Sequence, residues 1–97
     1  MLHTVNKSPF QNNALTDCSR YVQAGDVVLL LEDGVFAAQA GTTQSALLEK
    51  MMEQVTIYAL SADLKARAIK ALVAGVQVTD YAGFVELVEQ HKIHSWL

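Results

Sequence analysis

The sequence predicts a single-domain, three-layer α/β/α fold with a mostly parallel sheet of four to five strands. Three observations carry that expectation. Strand-like and helix-like segments alternate along the chain, and the spans between strands are long enough for parallel crossovers. Val27 to Leu31 runs apolar without alternation, the pattern of a strand covered on both faces. No linker, low-complexity stretch or internal repeat divides the 97 residues, so residues 1–97 are read as one domain.

Each element follows from local chemistry. Leu2-His3-Thr4-Val5 is short and β-favouring, and the breaker Ser8-Pro9 follows it, so a strand is expected there. Asn12 or Asn13 caps a helix from Ala14 to about Ala24, which stops at Gly25. Val27 to Leu31 is the next strand. Asp33-Gly34 then turns the chain into a short apolar segment, Val35 to Ala40. Leu47, Leu48, Met51 and Met52 share one face of a second helix. Val55 to Leu60 is the clearest strand of the sequence. Ser61 caps a helix from Ala62 to about Leu72, ended near Gly75, and Val76 to Val78 reads as a short strand. Asp80 caps a last helix, in which Phe84, Leu87, Val88 and His91 fall at i, i+3, i+4 and i+7. Ile93 to Trp96 adds an edge strand.

Composition limits what such a domain does. A chain of this length buries only roughly 60–65% of its unfolded surface, so its stability margin is thin. With 52% hydrophobic and 18% charged residues it is no disordered tail. That apolar share is high for so small a body, and a subunit interface is its simplest use. A net charge of −3 with no basic run argues against direct nucleic-acid binding through phosphates. The longest apolar run is far too short to cross a membrane, and Met1-Leu2-His3-Thr4 lacks the start of a signal peptide. One cysteine forms no internal disulfide, which suits a reducing cytoplasm.

The chemistry on offer is sparse. The five glycines never assemble into a dinucleotide fingerprint or a phosphate loop, and no serine sits in a nucleophile elbow, so no cofactor is expected. His91 and His94 stand three apart and would share a metal only if the helix ran through both; the better reading puts one on an apolar face and the other in the tail. Ligands of open parallel sheets gather at the carboxyl ends of strands. Those ends supply Lys7 and Ser8, Glu32 and Asp33, Ser61 and Asp63, and Asp80 and Tyr81, each with an ordinary capping or turn role beside it. Asp33 as a phospho-acceptor would need an acidic pair after the first strand, where Asn6 and Lys7 stand. Cys18 is the one nucleophile with distinctive chemistry. It shares the apolar stripe of Leu15 and Val22, which by itself reads as an inert core thiol.

The wording of the chain carries more than its periodicity. Leu2 to Phe10 (LHTVNKSPF), Leu31-Glu32-Asp33-Gly34-Val35, Tyr58-Ala59-Leu60 with Asp63 to Arg67, Asp80 to Val85 and the closing Ser95-Trp96-Leu97 stand in order from first residue to last. Together they resemble the DsrH family, also called TusB, one of the DsrE/DsrF/DsrH-like sulfur-handling proteins. The stretch from Thr42 to Glu53 adds little to the match. The resemblance implies a cytoplasmic heterohexamer with DsrE/TusD-like and DsrF/TusC-like partners and a downstream sulfur-acceptor protein. In the Tus form such a complex relays persulfide sulfur towards 2-thiolation of the tRNA wobble uridine; in the Dsr form it serves sulfur oxidation. The family's main persulfide cysteine belongs to the DsrE or TusD partner. Some members carry a cysteine in the first helix, and Cys18 matches that position.

Two roles follow for the chain within such a complex. Cys18 accepts sulfur, attacking the outer sulfur of a partner's persulfide as in thiol exchange, which requires access from an interface. Alternatively the chain is a non-catalytic scaffold while its partner's cysteine does the chemistry. A third class is a stand-alone small-ligand binder using Lys7, Asp33 and Asp80. Trp96 and Leu97 are the interface candidates, because a terminal tryptophan wastes a large aromatic if left in water. On that reading their removal weakens assembly more than the domain itself.

Overall fold

The computed structural model describes all 97 residues. Its strands are Leu2–Val5 (β1), Val27–Leu30 (β2), Thr56–Leu60 (β3), Gln77–Thr79 (β4) and Ile93–Trp96 (β5). They form one sheet in the order β4-β3-β2-β1-β5, and every pairing is parallel. The expected fold class is therefore observed, with five strands. The first three crossovers carry α1 (Ala14–Tyr21), a 3-10 helix (Glu32–Ala38) followed by α2 (Ser45–Met51), and α3 (Ser61–Ala66). The last crossover, α4 (Tyr81–Gln90), returns across the whole sheet to set β5 beside β1. Right-handed connections place helices of opposite travel on opposite faces, which gives the three layers.

The period of two along each strand sorts the side chains between those layers. Val5, Val28, Leu30, Ile57 and Ala59 face one side and are buried against Leu15 and Cys18 of α1, Val35 and Ala38 of the 3-10 helix, Leu48 and Met51 of α2, and Leu64 of α3. Leu2 and Leu29 point to the other face and are also fully buried. That face has only α4 over it. Phe84, Leu87 and Val88 are half-buried there, and no residue of α4 is fully buried.

Three boundaries depart from the sequence reading. The first helix ends at Tyr21 rather than near Ala24: Val22 is already extended, and the Asp26 carboxylate accepts the Gln23 N–H at 3.0 Å. Asp33-Gly34 lies inside a helical turn rather than a simple reversal. Gly34 is required there because a Cβ would collide with the Val5 carbonyl oxygen. The third helix stops at Ala66, not near Leu72. Ala68 takes the left-handed conformation (φ 54°), the Ile69 N–H bonds the Leu64 carbonyl at 3.0 Å, and the Ala68 N–H bonds that of Lys65 at 3.1 Å. These bonds form a Schellman closure with alanine where glycine is usual, so the customary stop signal is missing from the sequence. The chain then runs on to bury Ile69 and Val73 in the core.

Candidate functional site

The candidate thiol sits on α1 because Ala14, Leu15 and Cys18 form the stripe that this helix turns into the core. Cys18 is fully buried, with 0% of its surface exposed. Burial, aided by the negative charge of Asp26, pushes the thiol up to about 12 from an ordinary value of 9.0. At neutral pH the thiolate that sulfur transfer needs is therefore strongly disfavoured in the folded chain.

Asp26, at the foot of β2, is the hub of the polar groups nearby. One carboxylate oxygen accepts from the terminal amine of Met1 at 3.1 Å; the other accepts from Gln23 N–H at 3.0 Å and from the His3 ring at 2.9 Å. Its burial opposes ionisation, but these donors outweigh that penalty and hold the carboxyl at about 2. His3 is fully buried, and its second nitrogen accepts from the Trp96 indole N–H at 3.1 Å. Indole nitrogen only donates, so His3 Nδ1 must be the acceptor and Nε2 carries the proton given to Asp26. Trp96 thus packs within this chain, its ring 4.5 Å from that of His94 and edge-on to Tyr21 at 5.7 Å. Leu97 is 82% exposed, so the two terminal residues have different roles within the domain.

The residues expected at the strand ends do not converge. Lys7 and Asp80 are exposed and Ser8 is buried; Asp80 caps α4 by accepting the Gly83 N–H at 2.8 Å. Asp33 and Asp63 are brought together by a residue the sequence reading left out of the site, Arg67. Its guanidinium lies 2.9 Å from Asp33 and 3.5 Å from Asp63, and Asp63 accepts the Glu32 N–H at 2.7 Å. That bond helps to hold Glu32 in its left-handed conformation (φ 49°) between β2 and the 3-10 helix. Ser61 opens α3 without a side-chain capping bond. No three His, Cys, Asp or Glu side chains meet as a metal would require. No helix is long and apolar enough to cross a membrane.

The sequence reading did not single out His3, Asp26 or Arg67 as members of these clusters. A histidine inside an apolar strand and an aspartate directly before one were visible signals for the first pair. Nothing in the sequence showed that Arg67 would reach back to Asp33.

Comparison with known proteins decides the family. The model of the family described as DsrH like protein matches residues 7–93. The chain belongs to the DsrH family. Protein TusB of Serratia proteamaculans is 40% identical over 98 residues, covering 99% of this chain and 100% of that protein. Protein TusB of Erwinia tasmaniensis is 42% identical over 89 residues, 90% of each. Protein TusB of Escherichia coli is 38% identical over 96 residues, 94% of each. Among solved structures, the ychN protein from E. coli superposes with a TM-score of 0.83 at 17% identity, over 97% of both chains. Protein Tm0979 from Thermotoga maritima gives 0.65 at 22% identity, over 94% of both. At those identities the likeness extends to the fold alone.

Proposed function

We propose that this chain is a subunit of a sulfur-relay complex for 2-thiolation of the tRNA wobble uridine, and that it shapes the complex without passing sulfur through its own thiol. Membership of the DsrH family supports the relay, and relatives bearing the TusB name favour thiolation over sulfur oxidation. The partners are DsrE/TusD-like and DsrF/TusC-like chains in a cytoplasmic heterohexamer, which hands sulfur to a downstream acceptor. The observation that carries the scaffold role is the state of Cys18: fully buried, with its thiol pushed up to about 12. Transfer needs a thiolate that reaches the donor's outer sulfur, forms the new S–S bond and releases the donor cysteine as thiolate.

A second reading keeps Cys18 as the sulfur acceptor, because it is the chain's only cysteine. It requires α1 to shift in the assembled complex. One experiment separates the two. The chain is co-expressed with its two partner subunits, as wild type and as Cys18→Ser, and sulfur flux to the acceptor is measured. Native mass spectrometry then maps sulfur additions that a reductant removes. A scaffold keeps full flux, with added sulfur only on a partner cysteine. Loss of flux with an intact complex, or sulfur mapped to Cys18, assigns the acceptor role. Failure to recover any complex overturns the relay reading itself.

A further inference from the structure

We infer that His3 and Trp96 form a proton-operated latch, in which protonation of His3 releases Trp96 and loosens β5, the strand that carries it. The polarity of the hydrogen bonds builds the latch. His3 is fully buried and both of its ring nitrogens are engaged: Nε2 gives its proton to Asp26 at 2.9 Å, and Nδ1 accepts the Trp96 indole N–H at 3.1 Å. A second proton can go only to Nδ1. The imidazolium carries two N–H donors and no acceptor, and an indole nitrogen only donates. Protonated His3 therefore sets donor against donor in a buried site, and the bond to Trp96 is lost.

The charges around the ring make its protonated form tenable. Asp26 titrates at about 2, so its carboxylate stays ionised against Nε2 throughout the range in which histidines change charge, about pH 5 to 8. The Met1 amine, 3.1 Å from the same carboxylate, offsets part of that attraction. From α1, Tyr21 meets the His3 ring edge-on at 6.0 Å, and Cys18, near enough to feel the Asp26 charge, remains a neutral thiol. From β5, the His94 ring lies 6.0 Å away. His91 and Lys92, between α4 and β5, line a cavity with Asp26 and Tyr21. Of the two hydrogen-bond partners of His3, Asp26 suits either state of the ring and Trp96 only the neutral one.

The place of Trp96 in the fold turns that local change into a movement of a strand. β5 is an edge strand, paired with β1 alone, and is the last element of the chain. It is reached through α4, of which no residue is fully buried. On the α1 side it is held by the packing of His94 and Trp96 against Tyr21, with ring centroids at 5.5 and 5.7 Å, and by the bond to His3. Edge elements with few buried contacts open at low free energy, so loss of that bond is felt first in β5. The latch belongs to this chain alone and stands whether or not the sulfur-relay reading holds.

The test is a titration of the isotope-labelled full chain from about pH 8 to 5, followed by NMR of the imidazole and indole nitrogens and by amide exchange. Three changes are expected at one midpoint. His3 takes its second proton, the Trp96 indole signal moves to that of a free N–H, and the Ser95 and Trp96 amides exchange at least about ten-fold faster than the intrinsic effect of pH allows. Amides of β2 and β3 should keep their protection. In His94→Asn the coupling should persist, and in Trp96→Phe the exchange of β5 should no longer follow His3. Protonation of His3 with the Trp96 bond intact would overturn the proposal, as would a His3 that stays neutral down to pH 5. Release of Trp96 that tracks His91 or His94 instead, or loss of protection throughout the sheet at the same midpoint, would also sink it. The wild-type titration decides even if Trp96→Phe fails to fold.

Discussion

Asp26 and Cys18 lie close enough for the charge of one to act on the other, and their pH behaviour differs in sign. The Asp26 carboxyl titrates at about 2 in the folded chain against 3.8 when free. The unfolded state therefore binds its proton first as acid is added. The stabilisation, about 1 kcal/mol once solvent screening is allowed for, is present above pH 4 and is lost as the pH falls towards 2. Asp26→Asn should cost a similar amount at pH 7 and flatten the acid limb of a urea-stability profile between pH 4 and 2. Cys18 acts at the other end of the scale. Its folded thiol resists ionisation up to about 12, while an unfolded one ionises from about 9.0, so stability declines as the pH rises between those values. Cys18→Ala should remove that part of the alkaline decline. In the isolated wild type at neutral pH, a thiol reagent should modify Cys18 only as fast as the chain opens. Fast labelling of the native chain would instead reveal a route to the thiol that supports the acceptor role.

Among the elements, α4 is the least anchored, since none of its residues is fully buried. Its order depends on the Asp80 cap and on the fit of Gly83, where a Cβ would collide with the Thr79 hydroxyl. Asp80→Ala should cost about 1 kcal/mol, read by urea melts. Amides of α4 should exchange faster with deuterium than those of β1, β2 and β3. The end of α3 offers a test of the opposite sign. Ala68 takes a left-handed conformation that costs an L-residue about 1–2 kcal/mol and glycine little. Because glycine also loosens the unfolded chain, Ala68→Gly should gain up to about 1 kcal/mol; a loss would mean that the Schellman closure is not the native geometry.

For the molecule as a whole, the end of the chain closes the fold. Trp96 pairs in register with Val5, gives its N–H to buried His3 and lies half-buried against the core, whereas Leu97 projects into solvent. Deleting both residues should therefore destabilise the isolated chain by about 2 kcal/mol or more, while deleting Leu97 alone should leave its urea midpoint unchanged. Any role of Trp96 in assembly is added to this one. The apolar surplus of the sequence is consistent with the distribution of exposed side chains: Phe10, Tyr81, Val78 and Leu97 are each more than half exposed, on different parts of the surface. Partners that cover them would account for a composition this apolar in so small a domain.

The sequence by itself determined the alternation of strands and helices, the parallel sheet, the cap at Asp80 and the family, because each depends on periodicity, local hydrogen bonding or residue order. Val27 to Leu31 could hardly be anything but an inner strand, and the spacing of Phe84, Leu87 and Val88 required a helix, although His91, read as its next member, is already extended beyond the end of α4. The tertiary structure alone decided what the candidate residues do. Whether Cys18 meets water or core depends on which elements cover α1, and the stripe that suggested burial did not say how complete it would be. The same holds for His3, Asp26 and Trp96, brought together across 93 positions of sequence by strand order. It holds for Asn6, whose side-chain oxygen is buried without a hydrogen-bond donor, which no local signal foretells. Local signals act over a few residues, but burial and long-range pairing are properties of the assembled layers.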